Sequence, residues 1–313
     1  MEDPRKAYTV AQDLYDAIKR RDTVAISEIT GRYVSGYREK IALAFVEQYN
    51  ALPSDLFKRW GTGYFESLMI RCWTNRHESR AKMLKEAIRG ALDRDALVDL
   101  VILCSTDDWN STLTHYQKHF KIALKADLRL NMPTDRPWKA LIDRWVEHDR
   151  HYRNNTKTDA HMLFQALEGG DGATIVNLLA TTKPQEWEKI VITYEENANM
   201  SLETAICMAF PGFEQTAFCA AHYWLCEPSK AAAFLIHRAC EGRRGDFRRV
   251  CRITSLVLDQ CLKCKYVYSV YGHLAADLRK AFSDNTAIPL ISLWRAYDID
   301  KILAEKREDS PQL

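Results

Sequence analysis

Apolar residues recur every three or four positions along most of the chain, which is the periodicity of amphipathic helices. Two successive stripes of this kind are Leu84, Ala87, Ile88 and Ala91, and then Leu97, Leu100, Val101 and Cys104. Only 12 glycines and 9 prolines occur, whereas sheet-rich folds use these residues more often to end their strands. The pattern therefore predicts an all-α fold of helices joined by short loops.

A long-range repetition is superimposed on this pattern. Amphipathic stretches at residues 65–73, 138–145, 213–224 and 288–294 each close on a tryptophan, and these tryptophans are 72, 79 and 70 positions apart. A second marker has nearly the same period, since Tyr37, Trp109 and Trp187 each lie at the start of an amphipathic helix, 72 and 78 positions apart. Two markers with one period predict four repeats of about five helices each.

The spacing also predicts where the repeats begin and end. We expect a short head at residues 1–8, repeats at 9–79, 80–147, 159–228 and 229–302, and a tail at 303–313. The longest spacing lies between the second and third repeats, where residues 148–158 are polar and lack apolar periodicity. This linker predicts a division of the chain into two consecutive pairs of repeats.

Composition narrows the classes of function. A net charge of +2 argues against a nucleic-acid binder, which needs a clustered positive excess. No apolar stretch approaches the roughly 20 residues that span a bilayer, and residues 1–6 lack the apolar core of a signal peptide. Nine cysteines, without the spacing of a disulfide framework, favour reduced thiols and a cytosolic protein.

Three motifs within this repeat pattern resemble the annexin core. They are residues 84–97 (Leu-Lys-Glu-Ala-Ile-Arg-Gly-Ala-Leu-Asp-Arg-Asp-Ala-Leu), 239–246 (Ala-Cys-Glu-Gly-Arg-Arg-Gly-Asp) and 61–66 (Gly-Thr-Gly-Tyr-Phe-Glu). The eroded loops, the short head and residues 102–109 and 266–272 are most similar to the alpha-giardins, a divergent branch associated with the cytoskeleton and plasma membrane of a flagellated parasite. The resemblance implies a slightly curved disc of four repeats, with its loops on the convex face, that binds calcium and acidic membranes.

A calcium site of the annexin kind combines a glycine-containing loop with a carboxylate about forty residues later. The loop carbonyls turn toward one ion, which requires glycine dihedrals, and water or lipid phosphate completes the six to eight oxygen ligands. In the fourth repeat this pattern predicts Glu241, Gly242 and Arg244 in the loop, with Asp284 as the acid, 42 positions after Gly242.

A lesser kind of site uses the loop before the last helix of a repeat. Gly61, Thr62 and Gly63 with Glu66 suit such a site in the first repeat, and we rank it level with the fourth-repeat loop. Weaker candidates are Gly90, Leu92 and Asp135 in the second repeat, and Gly169 and Asp171 in the third.

The basic residues of these loops have a separate expected role. Arg243 and Arg244 would repel a cation at short range, but an arginine binds lipid phosphate well. The first loop of the first repeat lacks glycine, and Trp60 stands at the position of its acid, so we expect no calcium there. Arg20 and Arg21 of that loop would instead join Arg243 and Arg244 at a membrane surface.

Each candidate also has an ordinary structural interpretation. The loop glycines could simply end helices, Asp284 could cap the last helix, and Glu66 could be a first-turn acid favoured by the helix dipole. The pair Cys261 and Cys264 lacks the further ligands of a zinc site, and no phosphate-binding loop or nucleophile motif is present. An enzyme is therefore the least supported class.

The resemblance implies a non-enzymatic protein that binds acidic phospholipid membranes with the help of calcium and links the plasma membrane to the cytoskeleton. The alternative is a calcium-independent cytoskeletal scaffold whose calcium sites have decayed. We expect a cytoplasmic protein held peripherally at the membrane and cytoskeleton, with no nucleic-acid partner. Residues 1–6 are too short to recruit an EF-hand partner, so we expect no such partner at the N-terminus.

Overall fold

The computed structural model describes residues 4–61, 63–132, 136–242 and 244–295. These residues form twenty α-helices and one 3-10 helix. The extended pairing between His151 and Thr182 is an isolated bridge, and the described residues contain no strand. The predicted all-α fold of four repeats with about five helices each is confirmed.

The helices fall into four groups of five. The first group is α1 Pro4–Arg20, α2 Thr23–Arg32, α3 Ser35–Tyr49, α4 Pro53–Lys58 and α5 Tyr64–Cys72. The second is α6 Arg76–Ile88, α7 Arg94–Ile102, α8 Thr106–Phe120, α9 Leu124–Asn131 and α10 Pro137–Trp145. The third is α11 Thr156–Gly169, α12 Gly172–Thr181, α13 Pro184–Ala198, α14 Leu202–Ala209 and α15 Phe213–Cys226. The fourth is α16 Pro228–Cys240, α17 Phe247–Val257, α18 Cys261–Tyr268, α19 Leu274–Ala281 and α20 Asp284–Leu293, with the 3-10 turn Leu258–Gln260 before α18.

The helices pack into two compact units that do not follow chain order. Among the described residues, unit 1 contains those up to 79 and those from 236 onward, and unit 2 contains those from 80 to 235. In unit 1, α2 of the first repeat packs on α20 of the fourth, and α5 packs on α17. In unit 2, α10 of the second repeat packs on α12 and α15 of the third. The residue-level boundaries of the repeats stay a prediction.

The expected division at the polar linker is therefore wrong, because the linker is anchored within unit 2. The guanidinium of Arg150 lies 4.1 Å from the ring centroid of Trp145 on α10 and 5.0 Å from that of Trp224 on α15. His151 also pairs with Thr182 at the end of α12. Cation–π contacts and backbone pairing thus hold the second and third repeats together, and a polar sequence alone did not reveal them.

The tryptophan marker has a structural cause in the core. Trp73, at the end of α5, donates its indole hydrogen to Thr30 Oγ1 on α2 at 3.0 Å. Trp294, at the end of α20, donates to Thr254 Oγ1 on α17 at 2.9 Å. Both rings are buried, so the same indole-to-threonine bond ties the last helix to the second helix in two repeats.

No helix among the described residues is both long and apolar enough to cross a lipid bilayer.

Candidate functional site

One contact recurs in the loop between the first and second helices of all four repeats. An aspartate donates its backbone N–H to the carbonyl of an alanine in the preceding helix, at 3.0, 2.9, 2.8 and 2.7 Å, and caps the next helix with its side chain. The pairs are Asp22 with Ala17, Asp93 with Ala87, Asp171 with Ala166, and Asp246 with Ala239. This contact was not predicted, although an alanine followed by an aspartate five to seven positions later recurs in every repeat.

The length of this loop differs among the repeats. The aspartate follows the alanine by five positions in the first and third repeats, six in the second and seven in the fourth. The two shortest loops each turn through one left-handed residue before the aspartate, Arg21 with φ 54° and Gly170 with φ 64°. The connection of the fourth repeat is therefore two residues longer than the shortest ones.

The fourth-repeat loop is built around two glycines. Gly242 has φ 86°, a left-handed conformation that other residues resist, and both Gly242 and Arg244 are exposed. A side chain at Gly245 would lie 2.8 Å from the Phe282 ring and 2.9 Å from Ala281 Cβ. Gly245 thus lets the loop pack directly on the segment that leads into α20.

Asp284 lies just beyond that packed segment. It is the first residue of α20 and is exposed, and Ser283 holds the N-cap position. The structural alternative that Asp284 is the cap is therefore wrong. Arg243, the other basic residue expected in the loop, lies outside the described residues.

Glu241 has partners within its own repeat. Its carboxylate accepts a hydrogen bond from Arg238 Nη1 at 2.6 Å, and His237 Nε2 lies 3.5 Å from its other oxygen. A cation would have to compete with these groups for the Glu241 side chain. The exposed carboxylate of Asp284 has no such competitor among the hydrogen bonds and ion pairs of the described residues.

The later loop of the first repeat holds the other candidate site. Gly61 has φ 141°, and Gly63 is the N-cap residue of α5. The Glu66 carboxylate folds back over Gly63, where any side chain would collide with it. This places an acid beside the loop carbonyls, and the same arrangement suits a helix-capping contact. Thr62 lies outside the described residues.

Three aromatic rings connect these two candidate loops within unit 1. The Phe247 ring lies 5.1 Å from the Phe282 ring and 5.7 Å from the Tyr64 ring, with both pairs edge to face. Phe247 follows the fourth-repeat loop directly, and Tyr64 follows Gly63. The structure therefore gathers the two preferred candidate loops into one region, which their positions in the sequence did not show.

The candidate residues of the second repeat offer fewer calcium ligands than the two preferred loops. Gly90 has φ 78° and is exposed, and Leu92 is half-buried. Asp135, the acid expected for this site, lies outside the described residues.

The carboxylate of Asp171 in the third repeat is occupied by hydrogen bonds at the start of α12. The Asp171 carboxylate accepts hydrogen bonds from Thr174 Oγ1 at 2.6 Å and from the backbone N–H groups of Thr174 at 3.2 Å and Ala173 at 3.0 Å. The bonds from Thr174 hold the pKa of this carboxyl below its usual value. Gly169, beside it, is exposed at the end of α11.

The basic residues of the first repeat lie at its shortened loop. Arg20 and Arg21 are both exposed, and the Arg21 guanidinium lies 5.6 Å from the ring centroid of Trp60. Trp60 precedes Gly61, so this cation–π contact joins the two loops of the first repeat. Their charges are available to an anionic surface.

The fold and the repeated loops define the class as an annexin-type repeat protein. A family model of the fourth repeat of annexin E1 matches residues 232–295. The structure of annexin III, 19% identical, has a TM-score of 0.76 over 92% of this chain and 93% of that chain, which shows the fold.

Closer relatives identify the branch. Giardin subunit alpha-8 of Giardia intestinalis is 87% identical over 309 residues, 99% of both chains, and giardin subunit alpha-4 is 40% identical over 92% of this chain and 97% of that relative. The crystal structure of calcium-bound alpha-1 giardin is 32% identical and has a TM-score of 0.87, covering 93% of this chain and 99% of that chain. The chain belongs to the alpha-giardin family.

Proposed function

We propose that this protein binds anionic phospholipid membranes with the help of calcium, through the loop region of unit 1. The observation that carries the proposal is the fourth-repeat loop. It has the longest connection of the four, a left-handed Gly242 and a Gly245 packed on the segment before Asp284. Loop carbonyls together with a carboxylate are the oxygen ligands that calcium prefers, and the likeness to calcium-bound alpha-1 giardin supports this assignment.

The first-repeat loop adds to the same region. Glu66 lies over Gly63, and Tyr64 contacts Phe247 beside the fourth-repeat loop. Two weak cation sites close together bind a membrane more tightly than either one alone, because the second contact forms within an assembled complex. Calcium and lipid then strengthen each other's binding.

Exposed arginines supply a part of the affinity that does not depend on calcium. Arg20, Arg21 and Arg244 are all exposed at loops of unit 1. Each basic residue near an anionic leaflet contributes about 1 kcal/mol, and this attraction weakens as salt rises. The proposed function is binding rather than catalysis. It takes place at the inner surface of the plasma membrane, and a cytoskeletal protein is the second partner.

A second candidate function is a cytoskeletal scaffold without calcium. The short loops of the first and third repeats and the committed carboxylates of Asp171 and Glu241 favour it. In that case the loops would only end helices, and partner binding would carry the function.

Sedimentation with phosphatidylserine vesicles, with and without about 1 mM calcium, distinguishes the two functions. We expect pelleting that requires calcium, is reversed by a chelator and is reduced by Asp284→Asn or Glu66→Gln. Asp55→Asn is the matched control, because Asp55 is an acid on α4 whose side chain is 43% exposed and pairs with Lys58.

The other outcomes have clear meanings. Pelleting that is equal with and without calcium would assign binding to the arginines and exclude calcium as the ligand. Absence of pelleting in both conditions would favour the scaffold. An equal loss in Asp55→Asn and Asp284→Asn would show that the effect is not specific to the loop.

A further inference from the structure

Outside the loops of unit 1, the third repeat contains a sizeable cavity. It has a volume of about 710 Å³ and lies among α11, α13 and α14 of unit 2. Its walls are mostly apolar, from Phe164, Leu167, Tyr194, Ala205, Met200 and Met208, with Glu168 at the edge. No lysine or arginine is among its lining residues. We call this cavity the third-repeat groove.

The second repeat shows what the groove lacks. There Asp127, the fourth residue of α9, accepts hydrogen bonds from Lys85 Nζ at 2.7 Å and from the Tyr116 hydroxyl. Lys85 stands two positions before the Ala87 of the recurring loop contact, and Tyr116 is the eleventh residue of α8. These three polar groups join the first, third and fourth helices of that repeat by hydrogen bonds.

The same positions of the third repeat hold different residues. Ala205 is the fourth residue of α14, Phe164 stands two positions before Ala166, and Tyr194 is the eleventh residue of α13. The carboxylate and the ammonium are therefore absent, and only the tyrosine is kept. The groove lies where those two groups stand in the second repeat.

The fourth repeat supports this comparison. Asp277 is the fourth residue of α19 and accepts a hydrogen bond from the Tyr268 hydroxyl at 2.8 Å. In the third repeat, the Tyr194 hydroxyl has no hydrogen-bond partner among the described residues, although Tyr194 is only 4% exposed. A hydroxyl without a protein partner at the wall of an apolar cavity is a polar group that a ligand could bond in place of water.

The mouth of the groove is apolar and acidic. Met208 is 72% exposed and Met200 is 37% exposed, and flexible methionine side chains adapt to apolar partners of varied shape. Burial raises the pKa of Tyr194, and the nearby carboxylates of Glu168 and Glu195 raise it further. Glu168 lines the groove, whereas the Glu195 carboxylate accepts a hydrogen bond from the backbone N–H of Leu202 at 3.0 Å.

We propose that the third-repeat groove binds an amphipathic helix of a partner protein, with an apolar anchor residue flanked by lysine or arginine. The volume is within the range of about 300–1,000 Å³ that encloses a ligand, and a helix lying in an apolar groove is a common mode of recognition. Lysines beside the anchor would pair with the acidic edge. An anionic lipid would instead meet Glu168 without a basic group to receive its phosphate.

The probe is a fluorescein-labelled 18-residue helical peptide with leucine on one face and lysine on the other. A second peptide has glutamate in place of every lysine. We expect fluorescence anisotropy to show that the full chain binds the lysine peptide at least about tenfold more tightly than the glutamate peptide. Glu168→Gln should reduce this preference and the salt dependence of the binding.

The decisive variant installs the polar groups of the second repeat in the third. Phe164→Lys combined with Ala205→Asp places a charged pair across the groove, in the arrangement that Lys85, Asp127 and Tyr116 form elsewhere in this chain. We expect the affinity for the lysine peptide to fall at least about tenfold.

Single substitutions provide a matched pair. Met208→Ala should weaken binding several-fold, about threefold or more. Leu130→Ala should leave it unchanged, because Leu130 is equally exposed, at 77%, and holds the same position of α9 outside the groove. Circular dichroism and thermal unfolding establish that each variant is folded.

Three results would overturn the proposal. They are equal affinity for the two peptides, binding of the lysine peptide that survives in the folded double variant, and vesicle binding without calcium that the double variant abolishes. The last result would identify a lipid acyl chain as the occupant.

Discussion

The buried polar cluster of the second repeat offers a quantitative test of the packing. Asp127 is 4% exposed and accepts hydrogen bonds from Lys85 Nζ at 2.7 Å, Asn131 Nδ2 at 3.0 Å and the Tyr116 hydroxyl. Burial opposes ionisation of this carboxyl, but the hydrogen bonds from Lys85 and Tyr116 outweigh it and hold the pKa below its usual value. Asp127→Ala removes the shared acceptor of the whole cluster.

The expected cost follows from what the substitution leaves behind. Tyr116, which is fully buried, loses its acceptor, and a buried unpaired donor costs about 1–3 kcal/mol. The Lys85 side chain is 31% exposed, so water compensates part of its loss. Because breaking a buried pair costs about 3–5 kcal/mol when neither partner is hydrated, we expect a loss of about 3 kcal/mol in the free energy of unfolding.

Urea unfolding, followed by circular dichroism, measures this loss. At a slope of about 3 kcal/mol per M, the midpoint should fall by about 1 M. Glu147→Ala is the control in the same repeat, because Glu147 forms an ion pair with Lys125 in which the side chains are 46% and 39% exposed. Such a surface pair contributes less than about 1 kcal/mol.

The comparison of these two variants tests whether the buried cluster stabilises the second repeat. A midpoint for Asp127→Ala within error of that for Glu147→Ala would refute the argument that the buried cluster stabilises the second repeat. It would also weaken the account of the third-repeat groove, which depends on the same three positions.

Three further predictions concern other buried groups. Burial lowers the pKa of His222 to about 4, and its imidazole accepts a hydrogen bond from Trp187 at 3.2 Å. The contribution of this group to stability should therefore be complete above pH about 6.5 and fall as pH drops toward 4. A thermal midpoint that stays constant across that range would contradict this. Burial raises the pKa of Cys72 to about 11, so at pH 8 a thiol reagent should label Cys72 only after unfolding, as peptide mapping would show. Thr254→Val removes the acceptor of Trp294 at 2.9 Å and should cost about 1–2 kcal/mol in urea unfolding, whereas an unchanged midpoint would mean that water replaces the threonine.

The sequence predicted the helices and repeats because both depend on periodic burial. Trp73 and Trp294 close their repeats because each indole must reach a threonine on the second helix. Such a requirement places a tryptophan at the same position of each repeat, which is visible as a regular spacing in the sequence. The pairing of the first repeat with the fourth left no such trace, since the contact of α2 with α20 depends on helix faces far apart in sequence.

The candidate site was predictable only in part. The pattern of glycines and acids identified Gly242 and Glu66, but not that Phe247 brings their loops together. The groove was harder to find because it results from missing groups. Ala205 by itself carries no signal in the sequence. Its meaning appears only when the helices of the repeats are aligned, because two other repeats have an aspartate at the same position.

The proposed activities can be separated because they lie in different units. The loops around Gly63 and Gly242 belong to unit 1, and the groove around Ala205 belongs to unit 2. They share no residue, and substitutions without shared partners act independently to within about 0.5 kcal/mol, or roughly twofold in affinity. Asp284→Asn should therefore leave the affinity for the lysine peptide unchanged, and Phe164→Lys with Ala205→Asp should leave calcium-dependent vesicle pelleting unchanged. A coupling greater than about tenfold in either direction would show that membrane and partner are bound by one linked surface, and would require a single site in place of two.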